Sequence, residues 1–63
     1  MSKIGFAKQD GNNVEVYDEN GSFKFNKYGE LLHFTDSKIF IKENNGNNIM
    51  VYDENGCFLY EQH

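Results

Sequence analysis

Residues Lys3 to Phe25 align without a gap on Lys38 to Tyr60, an offset of 35, and 12 of the 23 paired positions are identical. Gly11-Asn12-Asn13 recurs as Gly46-Asn47-Asn48, and Val16-Tyr17-Asp18-Glu19-Asn20-Gly21 recurs as Val51-Tyr52-Asp53-Glu54-Asn55-Gly56. A repeat at fixed spacing constrains the fold more than composition does, because the supersecondary unit built by the first segment should be built again by the second. We read an internal duplication within one domain spanning 1–63, with copy one at about 3–37 and a truncated copy two at about 38–63.

Within each copy apolar residues alternate with others at period two between turn signals, the pattern of half-buried strands. We expect seven strands, at about 3–8, 13–18, 22–26, 30–35, 38–43, 48–53 and 57–61. The fold class is therefore all-β: an antiparallel meander forming a strongly curled sheet or small open barrel. If Val16 and Phe25 are partners, the loop centres on Asn20-Gly21, and Asn-Gly suits a two-residue hairpin because both positions tolerate φ > 0; Asn55-Gly56 repeats it. Pairing Phe6 with Val14 leaves a three-residue loop, Gln9-Asp10-Gly11, and pairing Ile41 with Ile49 leaves a loop around Asn44-Asn45-Gly46. Tyr28-Gly29 and Asp36-Ser37 complete the six connections. The Tyr-Asp-Glu-Asn-Gly stretch resembles the turn of bacterial hairpin-repeat families, YD-type and MORN-type repeats among them. The resemblance covers residues 17–21 and 52–56 alone, and it implies a hairpin at each and no function.

This register puts Ile4, Phe6, Val14, Val16, Phe23, Phe25, Leu32, Phe34, Ile39, Ile41, Ile49, Val51, Phe58 and Tyr60 on the core face, where packing rather than binding explains the aromatics. On the opposite face Gly5, Glu15, Ser22 and Lys24 of copy one become Phe40, Met50, Cys57 and Leu59 in copy two. A strand pair apolar on both faces must be covered on both. Phe40, Met50, Tyr52, Cys57 and Leu59 are thus the expected interface, unless the meander curls enough to bury them itself.

Two further arguments call for a partner. A chain of about 60 residues hides only about 60% of its unfolded surface and needs a staple, yet Cys57 is the sole cysteine and no zinc spacing exists. A seven-stranded antiparallel meander also cannot close, since its first and last strands run the same way. The segment Cys57-Phe58-Leu59-Tyr60 has no proline or inward charge to blunt it and is the expected edge of a homodimer.

The remaining composition excludes more than it selects. A formal charge of −4, with six Lys and no Arg, argues against a phosphate-tracking surface, so no nucleic-acid partner is expected. No apolar run approaches a membrane span and the opening residues lack the apolar stretch of a signal peptide; with one cysteine, a reducing, cytoplasmic setting follows. Abundant Asn and Lys without Arg or Pro fit AT-rich coding and point to a bacterial or phage source.

Catalytic constellations are missing. His33 lies on a strand pointing away from the core, with no carboxylate or nucleophile placed beside it by spacing, and His63 is a chain-end residue. Cys57 replaces Ser22 of copy one and has no cation or helix N-terminus in view to activate it. Asp18-Glu19-Asn20 and Asp53-Glu54-Asn55 lack the alternating acids of a calcium loop. We expect no enzyme, no metal and no cofactor. The favoured function is a small protein–protein interaction module, a homodimer that docks on a larger cytoplasmic protein as an inhibitor or adaptor. A small-ligand or glycan binder using Tyr17, Tyr28 and His33 as its ligand face is the alternative, and an edge-to-edge structural building block is a third.

Overall fold

A computed structural model describes residues 3–62; Met1, Ser2 and His63, the last read above as a chain-end residue, lie outside the described residues. Seven strands follow in order: β1 Ile4–Asp10, β2 Asn13–Asp18, β3 Phe23–Tyr28, β4 Glu30–Phe34, β5 Lys38–Lys42, β6 Ile49–Asp53 and β7 Phe58–Gln62. The chain is all-β and every pairing is antiparallel, between sequence neighbours. The expected single meander is corrected in one respect, because it divides into a three-stranded sheet β1-β2-β3 and a four-stranded sheet β4-β5-β6-β7. Only Gly29 separates β3 from β4, and its N–H donates to the Asn12 carbonyl at 2.8 Å, which carries the chain out of the first sheet instead of folding β4 back onto β3.

The side chain of Gln9 clasps the two sheets at this corner. Its Nε2 donates to the carbonyls of Gly29 (2.9 Å) and Gly11 (2.8 Å), while its Oε1 accepts from the N–H of Leu31 at 2.7 Å. At the other end of the same junction the Ile4 N–H donates to the Asp36 carbonyl at 2.8 Å. Between the sheets lie Ile4, Ala7, Val14, Val16, Ile39 and Ile41, with Phe25, Leu31, Phe34 and Tyr52 half-buried against them.

Both Asp-Glu-Asn-Gly connections adopt one geometry. The Asp18 N–H donates to the Ser22 carbonyl (2.9 Å), the Gly21 N–H donates to the Asp18 carbonyl (3.1 Å), and Asp18 Oδ1 accepts from the N–H groups of Asn20 (2.9 Å) and Ser22 (2.8 Å). Asp53 repeats each of these bonds with Cys57, Gly56 and Asn55. Gly21 and Gly56 both sit at φ +86° while Asn20 and Asn55 stay at negative φ. The expected two-residue Asn-Gly turn is thus a three-residue loop, a type I turn closed by a left-handed glycine. The expected pairing of Val16 with Phe25 still holds, because a bulge after Val16 absorbs the extra residue.

The first hairpin of each copy departs further from expectation. Ala7 pairs with Val16 and Gln9 with Val14 around a two-residue Gly11-Asn12 turn, so Phe6 partners Tyr17 and not Val14. In the second copy Lys42 pairs with Ile49 and Ile41 with Met50, one residue from the expected register. A slip of one residue turns a strand over. Of the residues expected in the core, Phe6 and Tyr60 are turned out by these shifts, Phe23 by the bulge after Val16, and Phe58 lies beside Tyr52 on the edge strand; with Leu32, all are exposed. Ala7, expected to face outward, is buried, and Leu31 takes the place of Leu32 because a bulge interrupts β4 between Leu31 and His33.

Candidate interaction surfaces

The outer face of the first sheet is set by Gly5. A register shift between Ile4 and Phe6 makes Gly5 the extra residue of a bulge, so Ile4 and Ala7 both point inward and Phe6 points out. A Cβ on Gly5 would meet the Asp18 carbonyl oxygen and lie 2.6 Å from Glu19 Cα. The backbone approach therefore requires glycine. Cross-strand neighbours project from one face, and Phe6, Tyr17 and Phe23 form a row across all three strands, with ring centroids 6.2 Å apart for Phe6–Tyr17 and 5.8 Å for Tyr17–Phe23. Phe6 and Phe23 are 52% and 57% exposed. A shallow groove of about 410 Å³ runs beside the row, lined by Phe6, Lys8, Tyr17 and Gly21.

A polar row lies alongside. The Tyr17 hydroxyl donates to Glu15 Oε1 at 3.0 Å, and Glu15 faces Lys8 Nζ at 3.6 Å. The phenol of Tyr17 is held above its usual pKa of 10.0, first by this hydrogen bond to the Glu15 carboxylate and then by desolvation. Tyr28 pairs with Asn13 on the same face, two rows away, and is almost fully exposed. His33 is not part of this face. It lies on the second sheet, its ring stacked on Phe40 with centroids 4.2 Å apart. The expected ligand face of Tyr17, Tyr28 and His33 is thus split between two sheets, and Phe6 and Phe23 stand where the sequence reading had a core.

The expected interface is divided as well. Ile39 pairs with Tyr52 and Ile41 with Met50, which brings Met50 and Tyr52 to the face turned toward the first sheet. Burial raises the Tyr52 phenol above 10.0, and Lys27 Nζ of β3 sits 4.7 Å from its ring centroid. Phe40 shares the opposite face with His33, Val51 and Tyr60. Cys57, a free exposed thiol, leads from the turn into β7, and Leu59 is the unpaired residue of a bulge between Phe58 and Tyr60. The physical cause is again the one-residue slip between β5 and β6.

Strand β7 is the edge of its sheet and is exposed along its whole length, with Phe58, Leu59 and Tyr60 at 56%, 43% and 42%. Among the described residues no group of three or more His, Cys, Asp or Glu is arranged to hold a metal ion, and no helix is long and apolar enough to cross a membrane. No family model matches the chain, and neither a curated relative nor a solved structure matches it.

Proposed function

We propose that the chain is a non-enzymatic protein–protein interaction module that forms a homodimer through β7 and docks, as a small cytoplasmic inhibitor or adaptor of bacterial or phage origin, on a larger protein. The observation that carries this reading is β7 itself: a five-residue edge strand bearing three consecutive exposed apolar side chains. Such an edge offers unpaired backbone groups together with apolar area, the two things a strand from another chain needs. The modest core adds weight, since the fully buried side chains are all Val and Ile while most of the Phe and Tyr rings reach water. On this view the chain arose by duplication of a hairpin unit, its sheets curl toward a barrel that stays open, and dimerisation completes it.

Light scattering over a concentration series tests the reading. A dimer that Leu59→Lys dissociates is the expected result; a monomer at every concentration, unchanged by the substitution, sinks it. A second reading has its own observation, the Phe6–Tyr17–Phe23 row with Lys8 and Glu15 beside it. It makes the first sheet a small-ligand or glycan platform, which thermal-shift screening with sugars and metabolites checks, because a tight ligand raises apparent stability.

A further inference from the structure

Among the described residues two sheet edges are open, and exposed apolar side chains gather on them. The β1 and β4 edges meet at the junction made by Gln9, Gly29 and the Ile4–Asp36 bond. β3 and β7 each have one strand neighbour. Of the large apolar residues left exposed among the described residues, Phe23 and Tyr28 are on β3 and Phe58, Leu59 and Tyr60 are on β7; Phe6 and Leu32 are the others. β3 also lies close to the far end of the second sheet, because Phe25 of β3 packs on Gly56 in the turn before β7 and Lys27 of β3 covers Tyr52 of β6.

Charge separates these edges. As far as Tyr28, Lys3, Lys8, Lys24 and Lys27 balance Asp10, Glu15, Asp18 and Glu19. From Gly29 onward Lys38 and Lys42 face Glu30, Asp36, Glu43, Asp53, Glu54 and Glu61, so the whole formal charge of −4 belongs to the second half. β3 carries two lysines and no acid, Lys27 lying over Tyr52 and Lys24 standing at the bulge between Phe23 and Phe25, and β7 carries Glu61 and no lysine. Pairing β7 with another β7 sets two acidic sheets side by side, and pairing β3 with another β3 sets lysines together. Only the mixed pairing joins unlike charges.

We infer that the occupant of the β7 edge is the β3 edge of a second copy. Because β3 lies close to the β7 end of its own chain, a second copy can meet both edges at once, with two β3–β7 seams related by one two-fold axis, and the assembly stops at the dimer. This inference rests on the homodimer reading and names the surface that the second copy presents.

The test is a charge swap read by sedimentation or light scattering in 0.15 M salt. Lys24→Glu alone and Glu61→Lys alone should each weaken the dimer by about tenfold, since each reversal turns an attraction into a repulsion at two symmetric seams. The double variant should return to within about threefold of the parent, which also shows that both singles fold. A second measurement uses single-cysteine chains in a Cys57→Ser background: mild oxidation of a mixture of Asn26→Cys and Tyr60→Cys chains should give the mixed disulfide dimer, and neither chain alone should. A stronger dimer for Glu61→Lys with Lys24→Glu indifferent, or a disulfide dimer from Tyr60→Cys alone, would establish β7–β7 pairing and overturn the inference while leaving the homodimer reading intact. A parent chain that stays monomeric in the concentration series overturns both.

Discussion

The strand trio β1–β3 and the strand trio β5–β7 close their second hairpins with the same Asp-Glu-Asn-Gly sequence, and there the partners correspond: Val16 with Phe25 and Tyr17 with Phe23, Val51 with Tyr60 and Tyr52 with Phe58. Their first hairpins contain the same Gly-Asn-Asn and do not correspond. Gly11 opens a two-residue turn at φ +62°, whereas Gly46 keeps an ordinary backbone angle inside a longer connection closed by the Glu43 N–H on the Asn48 carbonyl. The difference lies in anchoring. In the conserved turn one carboxylate oxygen holds two backbone N–H groups, so the loop carries its own register. The other connection is held differently in the two copies, by Gln9 Nε2 on the Gly11 carbonyl in the first and by the Glu43–Asn48 backbone bond in the second, and the strands on either side decide where it turns.

Substitutions can break this comparison, beginning with the largest effect. Gly5→Phe gives β1 the residue that β5 carries at Phe40; it should cost roughly 3 kcal/mol or more, because a side chain there meets backbone that cannot yield. Urea melts read this directly, and a fully stable variant would show that the bulge does not depend on glycine. Gln9→Leu should cost about 2 kcal/mol by removing the three hydrogen bonds it makes at the corner. Asn44→Leu, at the equivalent position in an exposed loop, should stay within about 0.5 kcal/mol; equal losses would mean that the clasp contributes nothing special.

Asp18→Ala and Asp53→Ala should each cost about 1–2 kcal/mol and should agree with one another, since both turns lose the same pair of bonds. A large gap between them would refute the equivalence of the turns. The smallest effect is alkaline. A phenol whose folded pKa is raised contributes stability that is present below its unfolded value near 10.0 and is lost as pH rises through the folded value. Thermal melts between neutral pH and the folded pKa should therefore fall less steeply above pH 10 for Tyr52→Phe than for the parent. Tyr17→Phe, losing its bond to Glu15, should flatten the same limb.

Much of the strand layout was legible because period-two alternation and Asn-Gly signals are local: all seven strands fall within two residues of the sequence reading at either end. Face assignment failed where one unpaired residue intervened. Gly5 was readable as a bulge signal, since an isolated glycine in a strand marks one, and reading it so would have turned Phe6 outward and Ala7 inward. The slip between Ile41 and Ile49 left no such mark, because either register gives β6 an apolar face. Leu31 and Leu32 could not be told apart for the same reason. The aromatic row across β1, β2 and β3 was invisible for a different one: Phe6 and Phe23 read as core in a chain short of core.

The neighbour-only pairing of the strands also sets how the molecule comes together in time. Each hairpin closes a short loop, an event of about 1–10 μs, and no pairing joins distant parts of the chain. Low contact order predicts rapid formation of both meanders. What remains is their docking around Gln9 and Gly29, so the clasp belongs to the last step, and variants at Gln9 should speed unfolding while barely slowing refolding.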